Sequence, residues 1–292
     1  MNKMEALQEI IQMQDKGTLT NTQQSFEKSY LGHLRQWCEA LNQLPGNLDK
    51  MDGFNCDHCQ NRGCVHVVRG DYLSAVDCPK CASIRKSIWD LKRSGLENKS
   101  FSSYIVTEQW QEGLLSIVRT FAGECSGKWL YIGGQSGAGK THLCTAALRT
   151  FIFKHRQEAL LFEWVEKSKE IKQCVNTPEY NGKISLYKDV PVLYIDDFFK
   201  VKRGEAPTSA DINLAFELID YRYRKSLVTI ISSEFSLNDI ISVDEALGSR
   251  IKSKAQEYTL HIDRDRNKNY RLNEHKNNAS CRDFGETSTS GV

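Results

Sequence analysis

Phe26, Tyr30, Leu34, Trp37, Leu41 and Leu44 fall four, four, three, four and three residues apart, the period of one helical face. Pro45-Gly46-Asn47 ends that face, because proline has no amide to continue the hydrogen-bond ladder and glycine and asparagine favour turns. Ile84, Ile88 and Leu91 repeat the habit over residues 82–92. The first third of the chain therefore predicts a helix, a loop and a second helix.

Downstream the pattern changes. Mostly apolar runs at 128–132, 159–165, 190–195 and 227–231 predict strands, with a last short one at 258–262. Helix-period segments lie between them at 140–153, 166–174 and 209–223, and a short apolar-basic helix contains Gly248-Ser-Arg-Ile251. Strands that run apolar without alternation are buried on both faces, so the expectation is an α/β fold with a parallel sheet and flanking helices. The polar stretch from Lys92 to Ser100 reads as a linker. This gives a helical amino-terminal domain over 1–92, an α/β domain over 93–268 and a polar tail over 269–292 expected to be disordered.

Composition narrows the picture. The 292 residues are long enough for two domains, and 40% hydrophobic with 26% charged residues excludes collagen-like and wholly disordered chains. No apolar run approaches the roughly 20 residues of a membrane span. Met1 to Asp15 carries Glu5, Glu9 and Asp15 and no apolar core followed by small residues, so no secretory signal and a cytoplasmic location are expected. A net charge of +2 does not announce nucleic acid, so any such binding must come from a local basic patch.

Gly134-Gln-Ser-Gly-Ala-Gly-Lys-Thr141 fits G-x-x-x-x-G-K-[ST] at every fixed position, between a predicted strand and a predicted helix. Glycines 134, 137 and 139 let the backbone turn its amides inward around phosphate oxygens, and the following helix adds its positive end. Lys140 is expected to reach the β- and γ-phosphates of ATP and Thr141 to ligate Mg²⁺. A second metal-side carboxylate should sit at the tip of another buried strand, and Val192-Leu-Tyr-Ile-Asp-Asp197 supplies it. Asp196 is the expected Mg²⁺ partner and Asp197 the group that orients or deprotonates the attacking water. Leu227-Val-Thr-Ile-Ile231 leads into Ser232, Ser233 and Glu234, polar residues placed to sense the γ-phosphate or position water. Arg250 is either a solvated helix arginine or, in a ring of subunits, a group that stabilises charge at the neighbour's phosphoryl transfer.

Five of the ten cysteines fall between Cys56 and Cys81. Cys56-Asp-His-Cys59 and Cys78-Pro-Lys-Cys81 are two knuckles with eighteen residues between them, the spacing of a four-thiolate Zn²⁺ site. Cys64, His58 or His66 in the same stretch leaves open a set in which one of the four is replaced. Cys38, Cys125, Cys144, Cys174 and Cys281 are scattered, and no cysteine pairs with a histidine as a thiol nucleophile would.

The zinc knuckles together with Tyr131-Ile-Gly-Gly-Gln-Ser-Gly-Ala-Gly-Lys-Thr-His142, Val192-Leu-Tyr-Ile-Asp-Asp-Phe198 and Ile219-Asp-Tyr-Arg-Tyr-Arg-Lys-Ser-Leu-Val-Thr-Ile-Ile-Ser-Ser-Glu-Phe235 resemble the DnaC/DnaI-type replicative helicase loaders of bacteria and phages. The resemblance runs from the cysteine region to about Leu272. It implies a P-loop AAA+ ATPase domain preceded by a small zinc-binding domain that grips a DnaB-like replicative helicase, with assembly into a homo-oligomer and contact with single-stranded DNA. Carried over position by position, it implies nucleotide contacts from Gly134, Gln135, Ser136, Gly137, Ala138, Gly139, Lys140, Thr141, His142 and Asp196, with Lys140, Asp197 and Arg250 as catalytic groups. Asp197 stands where many relatives have glutamate, Glu234 stands where a sensor asparagine is common, and the chain after Arg250 is short for a helical lid. Lys200, Lys202 and Arg203, with Arg222, Arg224 and Lys225 beside Tyr221 and Tyr223, form a candidate surface for tracking phosphates and stacking bases. Two other readings stand beside this one: a transposition-helper ATPase that binds DNA and recruits a transposase, and a zinc adaptor whose degenerate nucleotide site only binds.

Overall fold

The computed structural model describes residues 21–124, 126–201 and 205–272. Expectations placed on Met1 to Asp15, Cys125, Lys202, Arg203, Cys281 and the tail beyond Leu272 lie outside the described residues. The chain divides into two compact units, Met1–Arg85 and Lys86–Val292, with the division inside the helix Ala82–Arg93.

In the first unit, helix α1 (Asn21–Gln43) is followed by the short α2 (Leu48–Asp52) and an antiparallel hairpin, β1 (Cys64–Arg69) and β2 (Tyr72–Asp77). The hairpin stands where only a metal-bearing loop was expected. Val65, Val67 and Val68 suit a pleated surface, and Gly70-Asp71 makes the two-residue turn that sets Arg69 opposite Tyr72, with Gly70 at φ +59°. The predicted face of α1 is only partly buried. Leu34 and Cys38 are covered, whereas Trp37 is 60% and Leu44 54% exposed. The polar Asn42 does the docking instead: its Nδ2 donates to the His66 carbonyl at 2.9 Å and its Oδ1 accepts from the His66 amide at 2.8 Å. A hydrophobic period cannot register such a contact.

The second unit begins with the rest of α3 (Ala82–Arg93) and α4 (Gln109–Glu124), whose Leu115, Val118 and Phe121 are buried. The sheet strands are β3 (Trp129–Gly134), β4 (Ala159–Glu163), β5 (Val192–Phe198), β6 (Val228–Ser233) and β7 (Thr259–Ile262). Between them run α5 (Lys140–Phe153), α6 (Trp164–Lys172), α7 (Glu179–Asp189), α8 (Ser209–Lys225), α9 (Leu237–Val243) and α10 (Glu245–Ala255). The strand order is β4-β5-β6-β3-β7 and every pairing is parallel, with Phe162 beside Ile195, Ile195 beside Ile231, Tyr131 beside Ile231 and Ile132 beside Leu260. All six residues of β3 and of β6 are buried, as strands covered on both faces require. The expected parallel sheet with flanking helices is thus present. In an open parallel sheet of this kind ligands collect at the carboxyl ends of the strands, which here means the tips of β3, β5 and β6.

Arg222 corrects the expected basic surface. Its side chain is fully buried, with Nε donating to Thr229 Oγ1 at 3.0 Å and the two terminal nitrogens to the carbonyls of Tyr187, Lys188, Val190, Pro191 and Val228. It fastens the end of α7 and the strand entries of β5 and β6, and it presents nothing to a nucleic acid. Among the described residues, no helix is long and apolar enough to cross a membrane.

Candidate functional site: a phosphate-loop cleft and a four-thiol cluster

The loop between β3 and α5 owes its path to its neighbours. Gly134 has φ +106°, and a Cβ there would lie 2.1 Å from the Ile262 carbonyl oxygen of β7, which also accepts from the Gln135 amide at 2.9 Å. Glycine is therefore obligatory for sheet packing as well as for the turn. Gly139 precedes α5 with φ +85°, so the free amides and the positive end of that helix face the loop. Lys140 is 6% exposed, and its Nζ donates to the carbonyls of Gly134 and Gln135, each at 2.8 Å. Burial pulls its ammonium below the ordinary lysine range, with Glu234 and Asp197 the leading opposing charges.

Thr141 and Asp196 meet. The Thr141 hydroxyl donates to Asp196 Oδ1 at 3.1 Å, and the same oxygen accepts from the hydroxyls of Tyr194 and Ser232. Tyr194 and Asp196 are two residues apart on one strand and so share a face, which is the signal that marks Tyr194 as a holder of the carboxylate. Ser232, on the adjacent strand β6, was singled out only as one of three polar tip residues.

Asp197 sits in a bulge. The register between β5 and β6 slips between Ile195 and Phe198, Asp197 takes φ +53°, and its amide donates to Ser232 Oγ at 3.2 Å. Such a backbone is uncommon for a residue other than glycine. Asp197 Oδ2 pairs with Lys200 Nζ at 2.7 Å, and Lys200 also lies 3.6 Å from Glu234. Lys200, read from the sequence as a possible nucleic-acid contact, is thus occupied by two carboxylates of the cleft. Glu234 is a wall residue of that cleft.

The cleft measures about 910 Å³ and is lined by residues 136–142 of the loop, by Asp197, Lys200 and Glu234, and by Tyr104 and Trp110 on another wall. His142 packs outward from α5: its Nε2 lies 2.9 Å from the Ser100 carbonyl and 3.2 Å from Ser103 Oγ, and burial lowers its pKa. Arg250 does not line the cleft. Its Nε donates to Asp220 Oδ1 at 2.9 Å and its guanidinium lies 4.9 Å from the Phe216 ring centroid.

In the first unit the sulfurs of Cys56, Cys59, Cys78 and Cys81 all lie within 4.8 Å of one another, and all four residues are buried. Cys56 and Cys78 are 3.9 Å apart and Cys59 and Cys81 3.7 Å. Metal–sulfur bonds of about 2.3 Å in a tetrahedron give sulfur–sulfur edges of about 3.8 Å, so the cluster has the dimensions of a zinc site. Cys64 lies in β1 and His58 faces outward, and neither joins the cluster. The Gly63 amide donates to Cys59 Sγ at 3.3 Å and Arg85 Nε to Cys81 Sγ at 3.4 Å. Arg85 is itself fixed by a buried ion pair with Asp52 and by the Phe54 carbonyl at 3.0 Å. Both contacts offset negative charge on sulfur, as partners of metal-bound thiolates do.

No family model matches the chain. The uncharacterized protein YqaM of Bacillus subtilis (strain 168) is 37% identical over 142 residues, which cover 48% of this chain and 44% of that protein. The chain therefore spans less than half of that relative's length. The replicative helicase loader DnaI of the same strain is 22% identical over 227 residues, 69% of this chain and 70% of DnaI. Among solved structures, the DnaC helicase loader is similar with a TM-score of 0.49 and 22% identity, covering 59% of this chain and 99% of that one. The phage-like element protein XkdC of Bacillus subtilis and structures of DnaA are further matches.

Proposed function

We propose that this chain is an AAA+ ATPase that binds a DnaB-like replicative helicase and places it on single-stranded DNA. The observation that carries the nucleotide part is the Thr141–Asp196 hydrogen bond, which joins the phosphate loop to the carboxylate strand at one point. The similarity to DnaI, itself a replicative helicase loader, supports the partner.

ATP takes the cleft, its phosphates over the loop amides and Lys140. Thr141 and Asp196 would hold Mg²⁺, which when bound neutralises charge on the β- and γ-phosphate oxygens. Asp197 accepts the proton of the attacking water or orients it, and Arg250 of a second copy in a homo-oligomer stabilises the transferring group. Cys56, Cys59, Cys78 and Cys81 hold Zn²⁺, a closed set that contributes folding energy to the helicase-binding domain. Lys225, and Arg224 with its exposed guanidinium paired to Asp220, are left for the DNA strand, and the protein works in the cytoplasm.

The Asp197–Lys200 ion pair favours a second reading, a zinc adaptor whose nucleotide site binds without turnover, because the oxygen that would take the water's proton is already engaged. Hydrolysis of ATP with and without single-stranded DNA separates the two, with Lys140→Ala and Asp197→Asn as controls. Turnover lost in both variants supports the ATPase; ATP retained with no turnover under any condition supports the adaptor. Capture of a DnaB-like helicase by the full chain tests the partner, and failure to capture it removes the loader reading.

A further inference from the structure

Beyond β7 the chain returns to the phosphate loop. Asp265 Oδ1 accepts from the Asn267 amide at 2.9 Å and starts the short turn Arg266–Lys268. The Tyr270 amide then donates to the Gly137 carbonyl at 2.9 Å. Gly137 has φ +75°, and a Cβ there would lie 2.2 Å from Asn269 Oδ1. The Asn269 side chain of the strap thus fills the space that the middle glycine of the loop leaves open. Asn269 Oδ1 is buried there without a hydrogen-bond partner among the described residues.

The strap also carries charge into the cleft. Lys268 and Arg271 line the same hollow as Lys140 and Thr141, and Lys268 Nζ lies 5.6 Å from the centroid of the Trp110 ring on another wall. Lys200, another lysine lining the hollow, is neutralised by Asp197 and Glu234, whereas neither Lys268 nor Arg271 has a carboxylate within 4.0 Å among the described residues. Two uncompensated cations held beside an amide-lined loop raise the local potential for a polyanion.

We infer that Lys268 and Arg271 are polyphosphate-contacting residues of the nucleotide site, carried on a strap whose seat is the phosphate loop itself. The inference rests on the ATP reading above and deepens it. The Tyr270 amide on the Gly137 carbonyl fixes the strap to the loop, so its two cations are placed beside the loop amides.

Titration of the full chain with a fluorescent ATP analogue in the presence of magnesium tests this. Lys268→Ala combined with Arg271→Ala should weaken ATP binding at least about tenfold, the loss of one or two charge-assisted contacts. Lys268→Arg with Arg271→Lys should restore most of it, and the unfolding midpoint without nucleotide should not change. Affinity within twofold of the unaltered chain overturns the inference. So does a loss matched by a lower nucleotide-free midpoint and not rescued by the charge-keeping pair, since the strap would then be structural only. If the unaltered chain retains no ATP, the nucleotide reading falls and takes this inference with it.

Discussion

The Thr141 hydroxyl donates to Asp196 Oδ1 across 3.1 Å, so the side chain that follows the lysine of the loop touches the carboxylate at the tip of β5, fifty-five residues further on. The sheet order makes this possible, because β6 alone separates β3 from β5. Ser232 on that intervening strand reaches the same oxygen. The start of α5 and the tips of β5 and β6 together form one polar cluster at the top of an apolar sheet.

Ser232→Ala should therefore act on magnesium use rather than on nucleotide capture. Removing an outer-shell donor from a metal-side carboxylate is expected to raise the magnesium concentration needed for half-maximal turnover about tenfold. ATP binding without magnesium should be unchanged. A magnesium titration of the ATPase rate checks it, and an unaltered requirement would leave Ser232 a filler of the sheet.

Asp197 and Lys200 form the second test. Asp197→Asn should lower turnover about a hundredfold with ATP affinity kept, as loss of a general base does. Lys200→Ala should raise the basal rate, because the ion pair occupies the oxygen that receives the proton. Steady-state hydrolysis at saturating ATP reads both, and a Lys200→Ala rate below that of the unaltered chain would assign Lys200 to nucleotide binding.

The thiol cluster predicts one tightly held zinc ion per chain, lost in Cys78→Ser and stripped by a strong chelator. Arg85→Met should destabilise the first unit by about 3–5 kcal/mol, since it leaves Asp52 buried without its partner. Metal analysis and thermal unfolding of the full chain measure the two effects. Full metal content in Cys78→Ser would show that another ligand, Cys64 or His66, belongs to the set.

Arg222→Met separates stability from DNA contact. Its guanidinium satisfies buried carbonyls of three segments, so its loss should cost about 3 kcal/mol or more in unfolding. Affinity for single-stranded DNA, measured at a temperature where the variant is folded, should not move. A selective loss of DNA binding would return Arg222 to the surface.

Much of this site is legible in the chain because its parts are local. The strand-loop-helix of residues 129–153 announces itself through unbroken apolar residues, glycines at fixed offsets and a helical period, and Asp196 ends an apolar run. The cysteine knuckles are local too, and their four sulfurs converge. What escaped depends on pairs distant in sequence. Asn42 docks α1 through the backbone of His66, so the stripe ending at Leu44 misplaces the buried face. Arg222 reads as surface charge until α7 and β6 close over it. Lys200 reads as a nucleic-acid contact until Asp197 and Glu234 flank it. Tyr270 on Gly137 joins the last described segment to the loop, and no motif records it.

Calorimetric titration of the full chain with ATP, with and without magnesium, beside Lys140→Ala and Asp196→Asn, tests the central claim most directly. Saturable binding that magnesium strengthens in the unaltered chain, binding abolished in Lys140→Ala, and binding indifferent to magnesium in Asp196→Asn are the predicted results. Equal heats in all three proteins, or none in the unaltered chain, would contradict a nucleotide site built from Lys140, Thr141 and Asp196.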